Sequence, residues 1–158
     1  MSEFKFDEEN EKKFQKLIQK YPKINSLTLP SLWLVQEQEG WISLDAMKYL
    51  ASRLEKSAAD IYSIATFYTM FKLKPIGKYH ICICKTASCK LCGSENIKEK
   101  LEQKLGIKFG ETTKDGKFTI EEVECLGACA DAPVMSLNDK YIGQLTIEKI
   151  EKIINELE

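Results

Sequence analysis

The sequence predicts an α/β protein in two parts, an all-α segment over residues 1–76 followed by an α/β domain over residues 77–158. Three observations carry this reading. Apolar residues recur at helical spacing up to about residue 71, and from Tyr79 onward strand-like alternation and helical stretches take turns. All six cysteines lie in the second part. Residues 72–77, with Pro75 and Gly77, mark the break between them.

In the first part, residues 8–21 read as an amphipathic helix with Asp7 as N-cap and Phe14, Leu17, Ile18 and Tyr21 on one face. After a break over 22–30, bounded by prolines, helices are expected over 31–39, 44–54 and 58–71. Ser43 and Ser57 cap the last two, and Ser57 with Asp60 has the spacing of a capping box. Ile61, Ile64, Ala65, Tyr68 and Phe71 line one face of the last helix, as the core of a small bundle requires.

In the second part, Tyr79, Ile81 and Ile83 alternate with His80, Cys82 and Cys84, so a strand runs into the first cysteine loop. Ser94 is the expected cap of a helix that turns Ile97, Leu101 and Leu105 inward and stops at Gly106. Asp115-Gly116 signals a turn. The strand after it holds Phe118 and Ile120 in one phase and Val123 and Cys125 in the other, which a bulge near Glu121 and Glu122 would reconcile. Residues 133–137 and 141–143 read as short strands about an Asn138-Asp139 turn, and Thr146 caps a final helix striped by Ile147, Ile150, Ile154 and Leu157.

Composition narrows the function. At 158 residues and 44% apolar content the chain can bury a core, and 23 basic against 24 acidic residues give no footprint for nucleic acid. Residues 1–76 hold 11 Lys/Arg against 10 Asp/Glu, which argues against a DNA-binding helix pair. The start MSEFKFDEEN lacks a basic and then apolar leader, and no segment nears the run of about 20 apolar residues that spans a bilayer. The expected location is the cytoplasm, without membrane insertion, where cysteines serve as metal ligands or redox thiols rather than as disulfides.

Soft thiolates at two separated pairs suit an iron–sulfur cluster or zinc. Cys125 and Cys129 are the only pair in CLGAC and must give two ligands of a four-cysteine site. Cys82, Cys84, Cys89 and Cys92 compete for the other two. Cys82 sits inside the strand as a small hydrophobe would, while Cys89-Lys90-Leu91-Cys92 is also a CxxC between strand and helix, the setting of a redox dithiol. That dithiol would leave Cys125 and Cys129 without a role, and four-cysteine zinc sites favour C-x2-C in both halves. His80 is the only histidine, which excludes Cys2His2 zinc and a two-histidine Rieske centre. Absence of the consecutive C-x2-C-x2-C run favours two irons over four, and neither GxGxxG nor a P-loop is present to bind a nucleotide.

The CKTASC loop, the segment GETTKDGKFTIEEVECLGACADAPVMSLND and the upstream VQEQEGWIS and ATFYTMF stretches resemble the small thioredoxin-like [2Fe-2S] subunit of the NADH-dehydrogenase module of respiratory complex I. The resemblance covers about residues 25–145. It implies a thioredoxin-like [2Fe-2S] ferredoxin domain behind a helical N-terminal extension that contacts partners. It places the family's C-x4-C and C-x3-C ligands of one cluster on Cys84, Cys89, Cys125 and Cys129, with Cys82 and Cys92 outside that pattern. It further implies an FMN- and NADH-binding flavoprotein and a larger iron–sulfur subunit as partners, FMN and NADH being held there and not by this chain. In complex I the subunit would sit at the cytoplasmic side of the inner membrane. The same subunit type serves NAD-linked hydrogenases and formate dehydrogenases. Lys85 and Lys90, in the first cysteine loop, are solvated surface cations unless their charge acts on the sulfurs, in which case they would raise the cluster potential.

Overall fold

A computed structural model describes residues 4–157. They form two compact units, one ending at Pro75 and the other starting at Ile76.

The first unit holds four helices: α1 Glu8–Lys20, α2 Thr28–Glu39 after a short 3-10 turn, α3 Leu44–Arg53 and α4 Ala58–Phe67. The expected caps form. Asp7 accepts the Asn10 amide, Ser43 that of Ala46, and Ser57 with Asp60 closes the capping box, so the first orphan N–H groups of these helices are satisfied. Phe14, Leu32, Val35, Met47, Leu50 and Ile61 make the core of the unit. Arg53 of α3 grips Glu11 of α1 through both guanidinium nitrogens, at 2.8 and 2.9 Å, and lies 4.5 Å over the Phe14 ring. That hydrogen-bonded guanidinium, helped by Gln15, holds the Glu11 carboxyl down at about 2.

Two expectations shift here. The second helix starts at Thr28 rather than residue 31, because Pro30 is tolerated within a first turn that needs no amide from it. The fourth ends at Phe67, leaving Phe67 exposed while Phe71 turns back into the core. Ile18 of α1 is also exposed, so its apolar stripe is narrower than the spacing implied.

In the second unit, strands β1 Tyr79–Cys84, β2 Phe118–Val123, β3 Met135–Leu137 and β4 Lys140–Ile142 form one sheet in the order β2-β1-β3-β4. β1 runs parallel to β2 and antiparallel to β3. Between β1 and β2 come α5 Ala87–Leu91 and α6 Ser94–Leu105, and α7 Ile147–Leu157 closes the chain. Ile81, Ile120, Ile97, Leu101, Ile150 and Ile154 form the core between one face of the sheet and α6 and α7. Ile147 of α7 stays exposed.

No bulge occurs in β2. Its six residues pair in unbroken register with β1, so Phe118 and Ile120 face the core while Glu121 and Val123 sit beside Cys82 and Cys84. Both phases are used, and the apparent conflict needs no extra residue. Ser94 does not cap α6 either. Gly93, at a φ of +92° that favours glycine, is the N-cap and lets the chain leave α5 and restart as α6, and the Ser94 hydroxyl is buried without a partner. The start of β1 is set by Gly77, where a Cβ would stand 2.9 Å from the Lys117 carbonyl carbon, and whose amide donates to Thr119 Oγ1 at 2.7 Å. Asn138 and Asp139 both take positive φ in the turn between β3 and β4, as the sequence suggested.

Candidate metal centre

Cys84 ends β1, where its amide donates to the Val134 carbonyl at 3.2 Å. The next residue's amide donates to Val123 O at 3.0 Å, so both neighbouring strands fix the point at which the chain leaves the sheet. One helical turn later α5 returns Cys89 to the interior, and Cys84, Cys89 and Val134 form a small buried cluster flanked by Leu126, Ala128 and Ala132. The second loop follows β2. Gly127, at a φ of +76°, turns its amide onto Cys125 Sγ at 3.3 Å, and Cys129 opens a 3-10 turn with its sulfur 3.8 Å from that of Cys125. The Ala132-Pro133 peptide beyond it is cis.

The two loops meet at the inner sulfurs. Burial pushes the Cys84 thiol up, yet hydrogen bonds from the Thr86 hydroxyl and from the amides of Thr86 and Leu126 outweigh it and bring it down to about 7. The Thr86 Oγ1 is 3.2 Å from that sulfur. Burial and then the neighbouring Cys84 push the Cys89 thiol up, against a hydrogen bond from the Val134 amide, and Cys129 adds to the upward push. Amides of the second loop and of the segment after it therefore address the sulfurs of the first, which stabilises thiolate and would equally stabilise metal-bound sulfur.

The cysteines outside this group behave differently. Cys92 follows α5 and is exposed beside Leu91, and Cys82 is buried in β1 next to His80. Lys85 pairs with Glu124 at 2.8 Å and Lys90 with Glu95 at 3.5 Å, so each cation is answered by a carboxylate at the surface.

The donor set fits a cluster. Two thiolates sharing a tetrahedral metal at about 2.3 Å lie about 3.7–3.8 Å apart, the separation of the Cys125 and Cys129 sulfurs. Ala87, Ser88, Gly127 and Ala128 are small, so backbone amides can approach the sulfurs closely. From residue 14 to 158 the sequence also matches the thioredoxin-like [2Fe-2S] ferredoxins.

The chain belongs to the thioredoxin-like [2Fe-2S] ferredoxin family.

Its cofactor is thus a [2Fe-2S] cluster, and the fold is the one the sequence predicted, a thioredoxin-like domain behind helices. Among curated relatives, the E subunit of the NADH-quinone oxidoreductase of Rickettsia felis is 49% identical over 97% of this chain and 93% of its own length. Its counterpart in Rickettsia prowazekii is 49% identical over 97% of this chain and 88% of its own. In Rhizobium meliloti, the second of the numbered E subunits of this oxidoreductase is 42% identical over 85% of this chain and 80% of its own. The resemblance read from the motifs is therefore borne out across nearly the whole chain. Among solved structures, an NAD+-reducing [NiFe]-hydrogenase in the air-oxidized state superposes with a TM-score of 0.73 at 20% identity, over 83% of this chain but only 22% of that one, a likeness of fold.

Sequence reasoning missed the groups that address the sulfurs. The Thr86 hydroxyl was visible two residues after Cys84, but the Leu126 and Val134 amides carry no side-chain signature and emerge only when the loops meet. Gly143 was missed for the same reason. Its missing Cβ makes room for the Asp131 side chain and for the Asp131 carbonyl oxygen, which would stand 2.8 Å away, at the end of the turn that starts with Cys129.

Proposed function

We propose that this chain is the electron-transfer subunit of an NADH:quinone oxidoreductase, holding its [2Fe-2S] cluster on Cys84, Cys89, Cys125 and Cys129 beside a flavoprotein that binds FMN and NADH. The observation that carries the reading is the 49% identity with the Rickettsia felis oxidoreductase subunit over 97% of the chain, joined to one loop that buries Cys84 and Cys89 and a second whose Cys125 and Cys129 sulfurs lie 3.8 Å apart. When bound, the cluster supplies one-electron storage next to a flavin that takes two electrons as hydride. The residues do the rest. Cys84 and Cys89, each 1% exposed, keep water from one side, while Thr86 Oγ1 and the Leu126, Val134 and Gly127 amides direct positive dipoles at sulfur and favour the extra electron. Cys125 and Cys129 are exposed, which makes their loop the side from which an electron enters or leaves. A larger iron–sulfur subunit is the expected further partner. Among the described residues no helix is long and apolar enough to cross a membrane.

The test is iron, acid-labile sulfide and zinc content of anaerobically purified protein, with EPR after dithionite. Two irons and two sulfides per chain with a rhombic spin-half signal support the reading. Zinc at the four thiolates with no sulfide would overturn it.

A further inference from the structure

A second group of donors lies on the sheet face turned away from the α6–α7 core. His80 and Cys82, two residues apart on β1, project to that face, and the parallel register sets Glu121 of β2 beside Cys82. His80 Nε2 is 2.9 Å from Glu121 Oε2, and Cys82 Sγ is 3.4 Å from the same nitrogen. One donor atom of each residue lies within 4.8 Å of the other two. His80 and Cys82 are each only 6% exposed. None of the three belongs to the cysteine set proposed for the cluster.

We propose that His80, Cys82 and Glu121 form a separate metal site that binds one Zn2+. An imidazole nitrogen, a thiolate and a carboxylate are the donor types zinc takes, and three of them leave a fourth tetrahedral position for water. The two anionic donors cancel the charge of the divalent ion, so the filled site buries no net charge where a lone thiolate or imidazolium would be costly. Standard bonds of about 2.0–2.1 Å to nitrogen and oxygen and about 2.3 Å to sulfur put N···O near 3.3 Å and N···S near 3.6 Å. The present 2.9 and 3.4 Å ask the side chains to part by tenths of an ångström, with no change in the paired strands that carry them. On binding, the metal displaces the thiol proton to solvent, while the neutral imidazole of His80 keeps its proton on Nδ1 and offers the Nε2 lone pair and Glu121 offers its carboxylate. Ser136 of β3, opposite Cys82 in the register and 8% exposed, borders the site on its other side. Zinc has no redox chemistry, so it would pin β1 to β2 just behind Cys84 without offering electrons a second stop.

The experiment uses the full chain with its cluster, purified anaerobically, cleared of loose metal and titrated with Zn2+. Iron, sulfide and zinc are counted in every sample, and the zinc environment is read by X-ray absorption at the zinc edge. One zinc per chain beyond two irons and two sulfides is expected, with one sulfur at about 2.3 Å and nitrogen or oxygen at about 2.0–2.1 Å. His80→Gln and Glu121→Gln should each weaken zinc binding at least about tenfold with iron unchanged, and Cys82→Ala should remove the sulfur from the spectrum. The proposal is overturned by cluster-loaded protein that takes up no zinc, which would make the trio a hydrogen-bonded cluster only, by zinc without sulfur, or by uptake indifferent to the three substitutions. Zinc that displaces iron shows a four-sulfur environment and also overturns it. A protein that never carries iron or sulfide would instead sink the cluster assignment, and the one-sulfur signature and the variants would still decide this site.

Discussion

Cys84 and Cys89 are each 1% exposed, whereas Cys125 and Cys129 lie open at the surface, although both pairs are spaced to hold metal. The first pair is placed by regular structure, the end of a strand bonded on both sides and one turn of α5. The second depends on a 3-10 turn and on backbone contacts from the segment after β4, where the Gln144 amide donates to Asp131 O at 2.6 Å and that of Leu145 to Pro133 O at 3.1 Å. On the proposed ligand assignment, the centre would have a dry side that sets its electronic surroundings and a wet, loop-built side through which it communicates. Hydrogen bonds to the inner sulfurs act in a low dielectric and should weigh more than charges at the rim.

The sharpest way to break this contrast is to remove one proposed ligand from each side. Cys89→Ser should abolish the cluster, because the hard serine oxygen replaces thiolate poorly and no water reaches that buried position to stand in as ligand, while Cys129→Ser, at an exposed position that solvent reaches, should retain a fraction of the iron with an altered EPR signal. Cys92→Ser should keep full iron and sulfide. Equal loss at Cys89 and Cys129 would erase the distinction between the sides. Next in size, Gly143→Ala forces a methyl group against Asp131 and should cost about 1–3 kcal/mol in thermal or denaturant unfolding, as overpacked sites do. Its EPR spectrum should broaden through the Cys125–Cys129 side, and an unperturbed Tm and spectrum would show that the outer loop does not lean on the β4 segment.

A smaller effect sharpens the role of the dry side. Thr86→Val removes the hydroxyl beside Cys84 and should lower the midpoint potential by about 40 mV, the equivalent of one hydrogen bond of about 1 kcal/mol for a one-electron couple. A redox titration that finds no shift would locate the tuning elsewhere. Lys85→Ala with Lys90→Ala should move the potential least of all, because Glu124 and Glu95 already answer those cations at the surface. A drop larger than that of Thr86→Val would reverse the ranking of the two sides.

Much of the fold was legible because it is local. The caps at Asp7, Ser43 and Ser57 and the Asn138-Asp139 turn are short-range hydrogen-bond and backbone preferences, and they stand where the sequence put them. The errors came where a residue's neighbours in space mattered more than its neighbours in sequence. Ser94 had the right type for a cap, but the connection from α5 to α6 takes the left-handed backbone of Gly93 as its N-cap. The phase change in β2 looked like a bulge only while one face of the strand was assumed to be buried, and here both faces of β1 are.

The sequence by itself determined the family and the chemistry, since cysteine type and spacing are written along the chain and a soft four-thiolate set leaves few cofactors open. Only the tertiary structure decided that Cys89 turns inward while Cys92 stays in solvent, that amides of one loop address sulfurs of the other, and that Glu121 stands beside His80 and Cys82. Those outcomes depend on the register between strands and on where a short helix ends, and both are fixed by packing across the sheet rather than by any run of neighbouring residues.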